Sequence, residues 1–568
     1  MIEMRHDRQA ATLSRRVATA PPRRTVAAIP RDAGWLVDQV DRLRLAINGT
    51  IEPTTRARYA QFMTPAPVGA LMAAMFQVQR PCIRLLDPGA GIGSLTAAFV
   101  AATLRRVDMH LDSDVPYGVS GTLREIHVTA FEIDDFLARH LTKTLSFCRG
   151  ACEAVGVEFS CDIRQEDYIA ATANDTSGGL FGGNSGRYGS GQDESGQYDC
   201  IIMNPPYQKI RSDSDMRRDL RVMGIEASNL YTAFLAVAAS QLADGGEMVS
   251  ITPRSFCNGP YFRPFRRFFL NRMSLERIHV FESRKVAFQE DEVLQENIIV
   301  HATRVGNATR HATKVNRVPD QVTLSVSAGP EDKPRIRRVP QSHVVSPSDP
   351  NCFIHLVMDE NGKLAVERMS RLPASLTDLD LAVSTGRVVD FRAKDYLRPH
   401  AESGTAPLIY PAHFHGGTVK WPNGVTRKPN AIQANKHAED LLVPAGVYVL
   451  VKRFSAKEER RRIVAAVYDS STVAEGPVGF ENHLNYFHHG GQGLPANIAK
   501  GLCIFLNSTV ADTYFRQFSG HTQVNALDLQ SLRYPSQEQL LALAAKIPHM
   551  TDDQETVDAA VEKVLFAK

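Results

Sequence analysis

The sequence predicts a doubly wound α/β domain followed by a mixed α+β half. Three observations predict it. Between residue 58 and about residue 305, short apolar runs alternate with segments of helical periodicity. A glycine-rich turn, Gly89 to Gly93, follows one of those runs directly. Beyond about residue 345 the alternation gives way to short strands interspersed with helices.

In chain order, residues 1–32 are basic, with six arginines against two acidic residues among the first 30, and include Pro21-Pro22. The composition approaches that of a transit peptide, but Glu3 and Asp7 favour a disordered basic arm. Trp35, Leu36, Val40 and Leu43 begin a helical pattern over 33–58, the entry to an α/β domain spanning 33–308. Strands are expected at 83–87, 126–132, 158–161, 199–203, 247–252, 276–281 and 296–303, with helices at 66–79, 94–106, 134–155 and 229–242. The last two strands lie close together, which suits an antiparallel edge. Residues 174–197 are dominated by Gly, Ser, Asn and Asp and read as a flexible insertion, either a surface loop or one that orders against a ligand. Residues 309–345 are basic and proline-containing and read as a linker. In 346–568, strands are expected at 407–411 and 446–452, and helices at 497–506 and 538–546.

Composition narrows the function classes. An apolar content of 43% is ordinary for a globular protein, and no run reaches the roughly 18 apolar residues of a membrane span. The net charge is only +3, so binding to nucleic acid requires clustered basic residues. Candidates are Arg217 to Arg221, Arg263 to Arg267 and Lys457 to Arg462. The eight cysteines form no CxxC pair. Cys148, Cys152 and Cys161 complete no zinc set, so reduced buried thiols and no metal are expected.

Two motifs carry the chemistry. Asn204-Pro205-Pro206-Tyr207 ends the apolar run Tyr198 to Met203. Prolines fix φ and lack the N–H donor. The Asn204 side-chain oxygen and the Pro205 carbonyl could both accept from one exocyclic amino group, while Tyr207 offers a flat face to a planar ring. An aromatic amine such as N6 of adenine fits that set, and an ordinary Pro-Pro turn is the alternative. Upstream, Asp87-Pro-Gly89-Ala-Gly91-Ile-Gly93 joins a strand to a helix. The glycines permit a tight turn and close backbone approach to a ligand. A carboxylate at the strand end would repel a pyrophosphate and suits a cation, such as the amino group of S-adenosylmethionine.

These motifs, in this order and with a long C-terminal region, resemble the adenine-N6 DNA methyltransferases of bacterial restriction–modification systems, in their gamma arrangement. Gln61-Phe-Met-Thr64-Pro65 resembles the segment that closes over the cofactor in that family. Thr385-Gly-Arg-Val-Val-Asp-Phe-Arg392 and Gly520 to Leu529 resemble the PstI and BsuBI type, so the resemblance touches most of the chain from about residue 58 onward. It implies the S-adenosylmethionine-dependent methyltransferase fold for 33–308 and a target-recognition domain for 346–568. Thr64, Asp87, Gly89, Gly91, Glu132 and Asp167 would bind S-adenosylmethionine. Glu132 ends the strand 126–131, where an acid bridges ribose hydroxyls. Asp167 follows the next strand and could accept from the cofactor's adenine amine. Asn204, Pro205, Tyr207 and Phe288 would be the catalytic set, with Phe288 stacking on a flipped base. Double-stranded DNA is the implied partner, and a companion endonuclease would be a separate chain. A monomer in the bacterial cytoplasm, associated with the nucleoid, is expected.

The C-terminal half offers Arg387, Arg392, Lys420, Lys452, Arg453, Asn482, His483, Asn485, His521, Gln523 and Asn525 as candidate base readers. Other readings stay open at this point. They are a solitary adenine methylase, an N4-cytosine DNA, RNA or protein-glutamine methyltransferase, and a DNA-binding protein with an inert methyltransferase fold. A nuclease fused to the methylase lacks a candidate acidic cluster before residue 58.

Overall fold

The computed structural model describes residues 33–49, 63–111, 123–181, 198–282, 296–306, 321–347, 349–422, 428–455, 459–519 and 523–567. The N-terminal arm, Phe288, His521 and Lys457 lie outside the described residues, as do residues 182–197 of the expected insertion.

The framework of the first half is a nine-stranded sheet. In chain order its elements are α1 (Ala33–Asn48), α2 (Ala66–Ala73), β1 (Cys82–Pro88), α3 (Ser94–Leu111), β2 (Glu125–Phe131), α4 (Asp135–Ala154) and β3 (Glu158–Arg164). There follow α5 (Tyr168–Phe181), β4 (Tyr198–Met203), α6 (Asp215–Val222), α7 (Leu230–Gln241), β5 (Leu242–Pro253) and α8 (Arg263–Leu270). The last four are β6 (Met273–Phe281), β7 (Asn297–Arg304), β8 (Gln321–Ser327) and β9 (Arg335–Pro340). The spatial order is β3-β2-β1-β4-β5-β7-β6-β8-β9. Strands β1 to β5 are mutually parallel, and β7 runs antiparallel to both β5 and β6. The antiparallel strand is thus inserted between β5 and β6, inside the sheet.

Strand β4 shows why the sheet is covered on both faces. All six of its residues are buried. Because side chains alternate across a strand, Cys200 and Ile202 join one apolar cluster, with α1 to α4, while Ile201 and Met203 join the other, with α5, α7 and α8. Helix α4 is started by Asp134, whose side chain accepts from Leu137 N at 3.0 Å. Cys148 and Cys152 point into the first cluster.

Three expectations are corrected. The strands expected to form an antiparallel edge, β6 and β7, lie inside the sheet, because β8 and β9 extend it beyond them. The linker at 309–345 contains β8 and β9, with β8 parallel to β6 and β9 antiparallel to β8. Val322, Leu324 and Val326 alternate and are buried, which gives β8 a core face, while β9 carries its arginines at the rim. The insertion expected from residue 174 begins later, because α5 continues to Phe181.

The second half holds a six-stranded sheet and a five-stranded sheet. Strands fall at Thr405–Ile409 and Val447–Lys452, and helices at Ala496–Leu506 and Gln537–Lys546, close to the expected positions. The halves meet through buried polar contacts. Arg254, just after β5, donates from its guanidinium to Glu296 Oε1 at 3.2 Å and to the Gln517 carbonyl at 2.7 Å. The backbone N–H of Leu356 also donates to the Gln517 carbonyl, at 3.0 Å.

Candidate active site

The strand order reverses at β1, which has β2 on one side and β4 on the other. Loops at the carboxyl ends of β1 and β4 therefore diverge there and leave a crevice. A cavity of about 230 Å³ lies in it, lined among others by Thr64, Gly89, Gly91, Glu132, Asp167 and Asn204. Six of the ten residues expected at the site thus share one cavity. Pro205 is buried, and its neighbour Pro206 lines the cavity. Asp87 lies under the glycine loop, and Phe288 falls outside the described residues. Phe281, the other aromatic near that strand, is a core residue packed edge-on against His279 at 4.7 Å.

The loop between β1 and α3 needs its glycines. Gly89, Gly91 and Gly93 all have positive φ, at 79°, 59° and 86°. A Cβ on Gly91 would meet nothing within 4 Å among the described residues, because the loop there faces the cavity. A Cβ on Gly93 would come within 2.8 Å of Leu141 on α4. Glu132 fastens the loop from across the sheet. Its Oε2 accepts from Gly91 N and its Oε1 from Asp134 N, both at 2.8 Å. Burial raises the Glu132 carboxyl above the usual range, and those two hydrogen bonds act against the rise.

Asp87 is fully buried. Its Oδ2 accepts from the Thr96 hydroxyl at 2.7 Å, whereas its buried Oδ1 has no hydrogen-bond partner among the described residues. Burial pushes its pKa up to about 7, and the nearby Glu132 charge adds to the rise. A buried carboxylate oxygen lacking a donor fits a ligand that brings a cation. Asp167 caps α5, its Oδ1 accepting from Ala170 N at 2.8 Å.

On the β4 side, the Asn204 amide is held at both ends. Its Nδ2 donates to Thr64 Oγ1 at 3.1 Å, and its Oδ1 accepts from the Tyr207 hydroxyl at 3.0 Å. The half-buried Tyr207 ring meets Tyr231 edge-to-face, with centroids 6.2 Å apart. Ile133, directly after Glu132, went unnoticed in the sequence; it lines the cavity and is 53% exposed. An apolar residue following a strand-ending acid was the available signal.

The structure sorts the remaining basic and recognition candidates. Arg266 and Arg462 are core residues. Arg266 donates to the Phe256 carbonyl at 2.9 Å and Arg462 to Ser455 Oγ at 3.1 Å. Arg387 donates to the Leu442 carbonyl at 3.0 Å, and Lys452 pairs with Glu459 at 2.6 Å. Asn485 is buried, donating to the Val524 carbonyl at 2.7 Å, and Asn525 caps a helix with Asp528. Arg392, Lys420 and His483 are exposed, and Arg453, Asn482 and Gln523 are partly so.

The fold and this crevice define an S-adenosylmethionine-dependent methyltransferase. The same fold occurs in the restriction–modification enzyme MmeI, solved with DNA, at a TM-score of 0.52 and 12% identity over 94% of this chain and 75% of that one. Residues 159–288 match the Eco57I restriction-modification methylase family. Type II methyltransferase M.PstI of Providencia stuartii is 41% identical over 93% of this chain and 96% of its own length. Type II methyltransferase M.BsuBI of Bacillus subtilis is 38% identical over 94% and 98%. The chain belongs to this family of type II methyltransferases, the modification enzymes of restriction–modification systems. No helix among the described residues is long and apolar enough to cross a membrane.

Proposed function

We propose that this chain methylates N6 of adenine within one specific sequence of double-stranded DNA. The carrying observation is the Asn204 amide, fixed between Thr64 and Tyr207 at the cavity that Gly91 and Glu132 also line. A carbonyl oxygen has two lone pairs. The Asn204 oxygen, oriented by the Tyr207 hydroxyl, would accept from the target amine together with the Pro205 carbonyl. Two acceptors draw the amine toward a tetrahedral nitrogen with an available lone pair, and fixing that geometry supplies much of the rate.

S-adenosylmethionine bound in the cavity supplies a methyl group already activated on a sulfonium. Asp87 is the partner for its amino group, through the oxygen that lacks a donor. Of the other residues lining the cavity, Glu132 would accept from the ribose hydroxyls, Asp167 from the adenine amine, and Ile133 would offer the adenine ring an apolar surface. Gly89 and Gly91 keep the loop free of side chains there, and Thr64 closes the cavity from the α2 side. The target base must leave the duplex to reach Asn204. Tyr207 offers it one aromatic face and Phe288 the other.

Recognition of the sequence belongs to 346–568, the chain acts as a monomer, and its companion endonuclease is a separate protein. The test is expression in a host lacking adenine methylation, followed by nucleoside analysis of its DNA. 6-Methyladenine is the expected product. 4-Methylcytosine, or unmodified DNA, would overturn the assignment.

A further inference from the structure

Glu481 is only 1% exposed, at the turn between the strands Val478–Phe480 and Leu484–His488. Its carboxylate accepts from the backbone N–H of His483 at 3.0 Å, and its other oxygen meets His483 Nδ1. Among the described residues, both hydrogen-bond partners of this buried carboxylate belong to His483. Burying a carboxylate is costly unless it is paired. Here the pairing fixes one imidazole whose side chain is 47% exposed.

The imidazole lies within a patch of the right chemistry. Phe454, itself exposed, packs on it with centroids 4.7 Å apart. Arg453 donates its backbone N–H to the His483 carbonyl at 2.7 Å and its guanidinium to the Asn482 carbonyl at 3.1 Å. Gln523 is bridged to Phe454 through the backbone and lies 3.4 Å from the Arg453 guanidinium. Chain connectivity limits how far this patch can lie from the end of β5. Gln523 is six residues from Gln517, whose carbonyl holds Arg254 at the end of β5, so the two are at most roughly 21 Å apart. Tyr207 bonds the Ile251 carbonyl of the same strand.

The geometry points to His483 as a specificity-determining residue that reads a base edge of the target duplex, with Glu481 as the positioning residue beneath it. A carboxylate on Nδ1 makes that nitrogen the donor and leaves Nε2 as the ring atom free to meet a base. Holding the ring in one orientation is what a directional contact to a base edge requires, whereas a phosphate contact needs only charge. This inference rests on the DNA-adenine reading above.

The experiment uses full-length protein, with His483→Ala, His483→Gln and Glu481→Gln variants. Methyl transfer is measured on the cognate duplex and on duplexes altered at one base pair each, with cofactor binding as a control for folding. In the His483 variants, transfer to duplexes altered at one particular position rises by about tenfold or more relative to the cognate. Glu481→Gln relaxes the same position, because the ring loses its fixed orientation, whereas a merely structural defect would lower transfer on every duplex alike. The ratio between altered and cognate duplexes does not depend on the folded fraction, so a partly unfolded variant still decides the question. An unchanged ratio overturns the inference. So does uniform weakening across all duplexes with a salt slope reduced by about one, which marks a phosphate contact. If wild-type protein yields no 6-methyladenine, the reading of the catalytic site fails instead, a result separable from either of these.

Discussion

The Tyr207 hydroxyl lies 3.0 Å from Asn204 Oδ1 and 3.3 Å from the Ile251 carbonyl, so the last residue of the tetrapeptide orients the first. Tyr207 is then more than an aromatic face. Tyr207→Phe keeps the ring and removes the hydroxyl, and turnover should fall about tenfold for one lost hydrogen bond. Asn204→Ala should cost on the order of 10²–10³-fold, as for a removed transition-state hydrogen-bonding group. Single-turnover rates and calorimetry with S-adenosylmethionine separate the two effects. Cofactor affinity that falls in step with turnover would place Asn204 in cofactor binding rather than at the target amine.

Asp87 should make the free protein less stable as pH rises. Burial raises its folded-state pKa to about 7, well above the ordinary aspartate range, so the folded state holds the proton more tightly. Between about pH 4 and pH 7 the folded state binds more protons than the unfolded one, and stability falls with rising pH across that window. Asp87→Asn removes the buried charge, and the melting temperature at pH 8 should rise by about 3 °C or more. The same variant should bind S-adenosylmethionine poorly, since an amide cannot balance an ammonium. A variant that melts lower at pH 8 and still binds cofactor would refute both roles.

The glycine loop was legible in the sequence because tight turns at strand ends demand residue types that little else demands. Glu132 and Asp167 were placed by their positions at the ends of strands and Thr64 by the resemblance, and all three line the cavity. The strand β8 was missed because the prolines and arginines around Val322, Leu324 and Val326 obscured their alternation. Two residues of the basic clusters misled for a different reason. Arg266 and Arg462 satisfy carbonyl and hydroxyl groups brought close only by folding, and nothing local distinguishes them from a DNA-facing arginine. The Glu481 and His483 pair is only two residues apart, but its burial depends on the neighbouring strands.

Gly93→Ala should destabilise the protein and loosen the cofactor loop together. The backbone has φ of 86°, which disfavours any Cβ, and the new atom would approach Leu141 to 2.8 Å and Thr144 to 3.0 Å on α4. Strain and overpacking of this kind cost about 1–3 kcal/mol each. Gly91→Ala shares the positive φ but meets nothing within 4 Å, so it should cost less stability and more cofactor affinity. Chemical denaturation and cofactor titration of the pair check this. Equal losses of stability would mean that the contact with α4 contributes nothing.

The junction between the halves decides where the catalytic half can be cut. A fragment ending near residue 310 would lose β8 and β9, and β6 would lose its parallel partner. It would also lose Ile354, Leu356 and Val357, which complete the apolar cluster on one face of the sheet. Such a fragment should aggregate. Extending it to residue 358 restores β8, β9 and those apolar residues, but still leaves Arg254 without the Arg516 and Gln517 carbonyls. Arg254 there keeps its ion pair with Glu296 but loses both carbonyls, and replacing a buried ion pair by neutral residues is often stabilising by about 1–4 kcal/mol. The longer fragment should therefore gain stability when Arg254 and Glu296 are replaced together by Met and Gln. In the full-length chain, the same double replacement should be destabilising, because the Arg516 and Gln517 carbonyls both lose the Arg254 guanidinium, and among the described residues Gln517 keeps only the Leu356 N–H. Urea titrations of the four proteins test the argument. If the double replacement has the same sign in fragment and full-length chain, Arg254 does not couple the two halves.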